Sequence, residues 1–244
     1  MRTELGAALL ACADADTASG LAAVLAECGC APIVTASDMA SAVTALSRSR
    51  FDLALIGATL SGGDGMALAR RIITLPLLRY PDVLLLPNGG MWVPEADQLT
   101  QCGAALLREP VTSQSLAAAV EALRGRGCVL PPSKAARLGE LLDRLGIPAH
   151  AGRDALFCAV ALAWRDKSRV ENLRANIYPG AGGPSRLSVD QTERAIRHVI
   201  ERAWRDGDID EQQRIFGDTI DAGRGRPTCG ELIARLADVL RWEG

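Results

Sequence analysis

Apolar and polar positions change rhythm once along the chain. Over the first 125 residues, short apolar runs of strand length lie at 7–13 (AALLACA), 31–35 (APIVT), 52–57 (DLALIG), 82–87 (DVLLLP) and 104–107 (AALL). Amphipathic stretches near 17–28, 38–48, 64–74, 95–102 and 113–124 alternate with them. Runs that are apolar throughout suit strands buried on both faces. Strand–helix units in series predict a parallel sheet with helices on each side, a receiver-like (flavodoxin-like) α/β domain with a five-stranded sheet over residues 1–125.

After that the strand signal stops. Residues 125–134 (GRGCVLPPSK) carry two glycines and a Pro-Pro step, which suits an extended linker at 126–134. Residues 135–244 then read as all-α, with helical patterns near 134–145, 152–165, 168–177, 188–205, 208–215 and 230–242. The last of these lines up Leu232, Ile233, Leu236, Val239 and Leu240 on one stripe. No internal repeat is visible.

The segment 188–205 (SVDQTERAIRHVIERAWR) carries the most chemistry. At 100° per residue, Val189, Thr192, Ile196, Val199, Ile200, Ala203 and Trp204 fall on one side. Asp190, Arg194, Arg197, His198, Glu201 and Arg205 fall on the other, and Ser188 stands where an N-cap is expected. One face can therefore be buried while the other presents arginines, the side chain best suited to paired hydrogen bonds with a guanine edge. By pattern alone, a solvated charged face is the commoner outcome.

Composition narrows the classes. With 48% apolar and 23% charged residues over 244 positions, the chain is globular rather than disordered. No apolar run reaches the roughly 20 residues that span a bilayer. The N-terminal apolar run is followed by acids instead of a cleavage site and reads as a buried strand, so a cytoplasmic protein is expected. Seven cysteines without a CxxC pair, and only two histidines, fit buried thiols better than a zinc site. The net charge of −2 does not advertise nucleic-acid binding. By segment, 1–125 has 8 basic and 12 acidic residues, 126–185 has 9 and 5, and 186–244 has 10 and 12. A DNA-binding surface would have to be local.

The stretch TERAIRHVIERAW, with RDGDID and RPT after it, resembles the C-terminal domain of the stage 0 sporulation protein A family. The similarity extends to LGIPAH (145–150), Tyr178-Pro179, IFGDTI (215–220) and ELIARLADVLR (231–241), covering roughly 135–243. The resemblance implies a six-helix domain with a helix-turn-helix that binds a short box of double-stranded DNA, usually as tandem copies. By position it puts Glu193, Arg194 and Arg197 on the base-reading face, with His198 beside them. It places Arg224 and Arg226, before Pro227-Thr228, as phosphate contacts, the alternative being solubilising surface charge. His150, in a turn between helices, reads as structural. The family has a helix after Tyr-Pro, but here the positions read GAGGPSRL (180–187). Interior glycine costs about 1 and interior proline about 3 kcal/mol relative to alanine, so this helix is expected to be shortened or replaced by a loop.

The first 125 residues resemble a response-regulator receiver, with FDLALIGATLSGGDG (51–65) as the third strand and its loop. Asp64-Gly65 keeps the end of the usual turn, but the phosphoacceptor position holds Gly57. Asp52 lies an odd number of positions earlier and faces the other side. Strand four ends in Pro87-Asn88-Gly89-Gly90 where a Thr or Ser is usual, and Glu109 stands before Pro110 where a lysine is usual. Asp14 and Asp16 leave one or two carboxylates for magnesium. Together with Asp64 they are either solvated loop acids or, as the rarer outcome, a separate metal site. Phosphoryl transfer needs a nucleophile, a divalent cation and a cation for the developing charge. A pseudo-receiver without aspartyl phosphorylation is expected.

The leading expectation is a sporulation-type, DNA-binding transcriptional regulator, with no cofactor, no metal and no enzymatic activity. Its receiver-like domain would serve self-association or protein docking through the fourth and fifth strands and their helices. The alternative is an interaction factor that keeps the fold without binding DNA and modulates a sporulation response regulator.

Overall fold

The computed structural model describes residues 5–87, 94–124, 130–217 and 225–242. The chain divides into two compact units, the first running to Gly127 and the second from Cys128 to Glu243.

The first unit runs β1 (Gly6–Ala11), α1 (Ala15–Glu27), β2 (Cys30–Ala36), α2 (Met39–Arg48), β3 (Leu53–Gly57), β4 (Thr59–Leu60), β5 (Gly63–Asp64), α3 (Gly65–Thr74), β6 (Asp82–Leu86), α4 (Ala96–Cys102), β7 (Ala104–Leu106) and α5 (Ser113–Arg124). The main sheet has the order β2-β1-β3-β6-β7, every pair parallel. Leaving out the β4–β5 ribbon, this is the 2-1-3-4-5 order of flavodoxin-like receiver folds, as the sequence leads one to expect. Ala8, Leu10, Leu53, Leu55, Leu84 and Leu86 pack on Leu21 and Leu25 of α1 and on Leu116, Val120 and Leu123 of α5. The alternate residues Leu9, Ala54, Ile56 and Leu85 are equally buried, and α2 and α3 also lie against the sheet. Strands buried on both faces explain the apolar runs.

The ribbon falls within what the sequence reads as a loop. Thr59 pairs with Asp64 and Leu60 with Gly63, and Gly62 at the bend has φ +83°. That backbone region favours glycine.

The second unit comprises α6 (Pro132–Arg144), α7 (Ala151–Arg165), a 3₁₀ segment (Lys167–Asn172), α8 (Leu173–Asn176), α9 (Tyr178–Gly182), α10 (Val189–Asp206), α11 (Ile209–Phe216) and α12 (Cys229–Trp242). The first helix starts inside the Pro-Pro step, since proline at the first helical position forfeits only an N–H that has no partner there. A single helix over 168–177 is not formed. Asp166 accepts from the Ser168 N–H and Asn172 from the Ala175 N–H, so side chains restart the turn twice. The described residues therefore hold seven α-helices in this unit, not six.

Helix α7 is the hub, in contact with α9, α10 and α12. It is buried almost all round from Ala155 to Trp164, as a central helix must be. Gly152 lets α10 approach, because a Cβ there would collide with the Ala195 carbonyl. Two buried cations close helix ends. Lys134 Nζ donates to the Leu240 carbonyl at 2.7 Å, and Arg241 Nη2 donates to the Ala163 and Trp164 carbonyls at 2.8 and 2.7 Å. Each satisfies acceptors that a helix C-terminus leaves without an intrahelical donor.

Candidate nucleic-acid interface

Two places carry the chemistry suggested by the sequence: the C-terminal edge of the sheet, and α10 with its surroundings. In open parallel sheets, ligands bind beyond the C-terminal strand ends. Here that edge forms a cavity of about 150 Å³ whose lining includes Cys12, Asp14, Gly57, Pro87 and Glu109. The atoms nearest a Cβ built on Gly57 would be Ala11 O at 3.4 Å and Cys12 atoms at 3.7 and 3.8 Å, ordinary contact distances. The position lacks a nucleophile without lacking room for one.

The nearby acids have other uses. Asp14 caps α1, accepting from the Thr17 N–H at 2.7 Å, and hydrogen bonding to Thr17 holds its carboxyl below the ordinary range. Asp64 caps α3 through the Ala67 N–H at 2.6 Å. Asp16 is exposed in the first turn of α1. Asp52 lies at the opposite end of the sheet, accepting from the Ala7 N–H at 2.8 Å and pairing with Arg79. Asn88, Gly89 and Gly90 lie outside the described residues.

Helix α10 begins at a capping box. Ser188 accepts from the Gln191 N–H, and the Gln191 side chain accepts from the Ser188 N–H at 2.8 Å. Thr192, Ile196, Val199, Ile200 and Ala203 are buried, and Trp204 stacks edge-on against Phe216 at 5.3 Å. The preceding helix is short, as the glycines and Pro184 suggest. Only Tyr178–Gly182 is helical, and the chain turns through 183–186. The reason is not propensity alone: a Cβ on Gly182 would collide with Thr192 Oγ1 and the Leu187 carbonyl, so glycine lets α9 seat against α10.

The predicted reading residues separate into distinct environments. Arg194 is exposed and forms no ion pair or side-chain hydrogen bond among the described residues. Arg197 is exposed but donates to Glu193 at 2.5 Å. Glu193 is half-buried, with 23% of its side chain exposed, and also accepts from Arg174 at 2.6 Å. His198 is exposed, its ring 6.5 Å from that of His150. His150 caps α7 by accepting from the Gly152 N–H at 3.2 Å. Arg226 pairs with Glu201 at 2.9 Å. Arg224 lies outside the described residues.

Of these groups, Glu193, Arg197 and Arg226 border a groove of about 790 Å³ between α8, α10 and the start of α12, with Arg174, Tyr178 and Cys229 also in its lining. Burial pushes the Cys229 thiol and the Tyr178 hydroxyl up in pKa, the thiol's proximity adding to the shift at Tyr178. Both stay neutral, so the groove's charge comes from its arginines and carboxylates. Arg174 is the residue that sequence reasoning passes over. Its partners lie 16 and 19 positions away, beyond any helical spacing.

Residues 138–240 match the family model described as the C terminal of sporulation initiation factor Spo0A. The receiver domain (CheY-like) from Methylobacillus flagellatus is 17% identical, covers 48% of this chain and 98% of its own, and has a TM-score of 0.44. A two-component response regulator from Clostridium difficile is 22% identical over 50% of this chain and 97% of its own, with a TM-score of 0.41. For the first unit, the strand order itself gives the receiver-type fold. Residues 138–240 are thus similar to the C-terminal domain of sporulation initiation factor Spo0A, and the unit ahead of them has the strand order of a receiver-type fold.

Proposed function

We propose that the protein binds double-stranded DNA through α10 as a transcriptional regulator and works without aspartyl phosphorylation. The observation that carries this is the setting of α10 within the Spo0A-type domain. The helix is capped at Ser188, seated by its apolar stripe and exposes Arg194 at the centre of its polar face. A helix presented in this way suits the major groove, with Arg194 and Arg197 toward base edges and His198 beside them. Glu193 reads bases only by giving up a carboxylate oxygen now held by an arginine. Arg226 serves as a phosphate contact only from its pair with Glu201, and Arg224 keeps the same assignment from the resemblance alone. Gly57, Glu109 and the capping role of Asp14 support work without aspartyl phosphorylation, which leaves the receiver-type domain to serve self-association or protein docking through β6, β7, α4 and α5.

Gel-shift titration of the full chain on a duplex with tandem sporulation-type boxes and on a scrambled duplex tests the reading. Preference for the boxes that weakens with salt supports it. A second reading, an interaction factor that modulates a sporulation regulator without touching DNA, is favoured by the five-residue α9 and by the pairing of three of α10's four arginines with acids. Failure to bind either duplex would overturn the first reading and leave the second to be tested by binding to a sporulation regulator.

A further inference from the structure

The face of α10 that carries Arg194 and Arg197 also carries Asp190, Glu193 and Glu201. DNA presents one negative charge per roughly 1.7 Å of axis, so bare carboxylates on an approaching helix oppose binding. We propose that Arg174, on α8, is a positioning residue that masks the acidic leading turn of α10 and so lets this face approach a polyanion. The proposal rests on the reading that α10 enters DNA.

One guanidinium spans two carboxylates. Arg174 Nη2 donates to Asp190 Oδ1 and Nη1 donates to Glu193 Oε2, each at 2.6 Å. The acids are three residues apart, one turn of helix, and the planar fork of arginine reaches both where a lysine would reach one. The Asp190 carboxyl is accordingly held below the ordinary range, by the Arg174 hydrogen bond first and its charge second.

Holding the fold is a poor account of this clamp. Arg174 and Asp190 are 59% and 66% exposed, and exposed ion pairs contribute little to stability. A masking role explains why the cation is brought in from outside the helix. Arg226, also outside the helix, acts likewise on Glu201. Of α10's own arginines, Arg197 is engaged by Glu193, and Arg202 and Arg205 by Asp206. With Asp190, Glu193 and Glu201 each met by an imported arginine, α10 keeps Arg194 unpaired among the described residues.

The test is fluorescence anisotropy of the full chain on the tandem-box and scrambled duplexes, from about 50 to about 200 mM salt. Arg174→Gln removes the charge and the guanidinium fork but keeps a polar side chain at an exposed position, so its unfolding midpoint should match wild type. It should bind on the order of tenfold more weakly at the lowest salt, with the deficit shrinking as salt screens the repulsion. Adding Asp190→Asn should recover most of the loss, whereas adding Asp210→Asn, which gives the same net charge from α11, should not. Wild-type affinity in Arg174→Gln, or equal recovery by the two second substitutions, overturns the clamp and leaves DNA binding standing. A wild-type protein that binds neither duplex overturns both.

Discussion

Gly182 and Thr192 are fitted so closely that any β-carbon on the glycine would overlap the threonine hydroxyl oxygen. The same hydroxyl donates to the Ser188 carbonyl at 2.8 Å, so the contact joins α9, the turn and the first turn of α10. Gly182→Ala should cost about 2 kcal/mol in urea unfolding, the usual penalty for overpacking a filled site. Gly139→Ala, in α6 with nothing within 4 Å of the added methyl, should instead stabilise by about 1 kcal/mol. Equal effects would mean that the glycine at 182 is there for backbone freedom and not for contact.

That pair also marks where sequence reasoning reaches its limit. The sheet was legible because each strand is apolar throughout and each helix amphipathic, patterns that burial imposes locally. Ser188 was legible because a cap lies next to the residues it caps. The glycines at 180–183 were read correctly as shortening a helix, but their sequence does not show which neighbour needs the space. Asp14 and Asp64 read as solvated loop acids or, as the rarer outcome, part of a separate metal site, yet each closes a helix N-terminus a few residues on. Arg174 was invisible for the opposite reason, since its two partners are set by tertiary placement and by no spacing along the chain.

Gly57 has room for a side chain, so Gly57→Asp should fold with an unfolding midpoint close to wild type. Even so, it should not accept phosphate. Glu109 puts a negative charge where the transferred group needs a cation, and Asp14 is committed to the Thr17 N–H. Intact-mass measurement after acetyl phosphate with magnesium should show no added phosphoryl group on wild type or Gly57→Asp. A hydroxylamine-labile adduct on the variant would show that the missing nucleophile was the only defect.

Arg241 is 2% exposed, caps two carbonyls at the end of α7 and pairs with Asp238 at 2.7 Å. Arg241→Met keeps apolar bulk but leaves those carbonyls buried without this donor, at a cost of about 3 kcal/mol. Lys167→Ala removes an exposed partner of the same Asp238 and should cost about 0.5 kcal/mol or less. Tryptophan fluorescence during urea unfolding should separate the two, because Trp164 lies at the capped helix end. Comparable losses would mean that the carboxylate, and not the carbonyl caps, carries Arg241's contribution.

The arginines of the proposed interface should differ in kind when each is removed. Arg194 has no carboxylate to leave, so its whole hydrogen-bonding fork is available to a base edge. Arg194→Ala should cost ~1–3 kcal/mol on the tandem-box duplex and relax the preference over the scrambled one. Arg197 must share itself with Glu193, so Arg197→Ala frees that carboxylate as well as removing a donor. Its loss should appear on both duplexes, and more strongly at low salt. Arg226→Ala exposes Glu201 and removes a candidate phosphate contact, which should weaken all sequences alike and lower the salt slope by about one ion. Binding curves on both duplexes at several salt concentrations distinguish the three. If Arg194→Ala weakens the two duplexes equally, α10 contacts the backbone rather than reading bases, and the target preference must come from elsewhere in the protein.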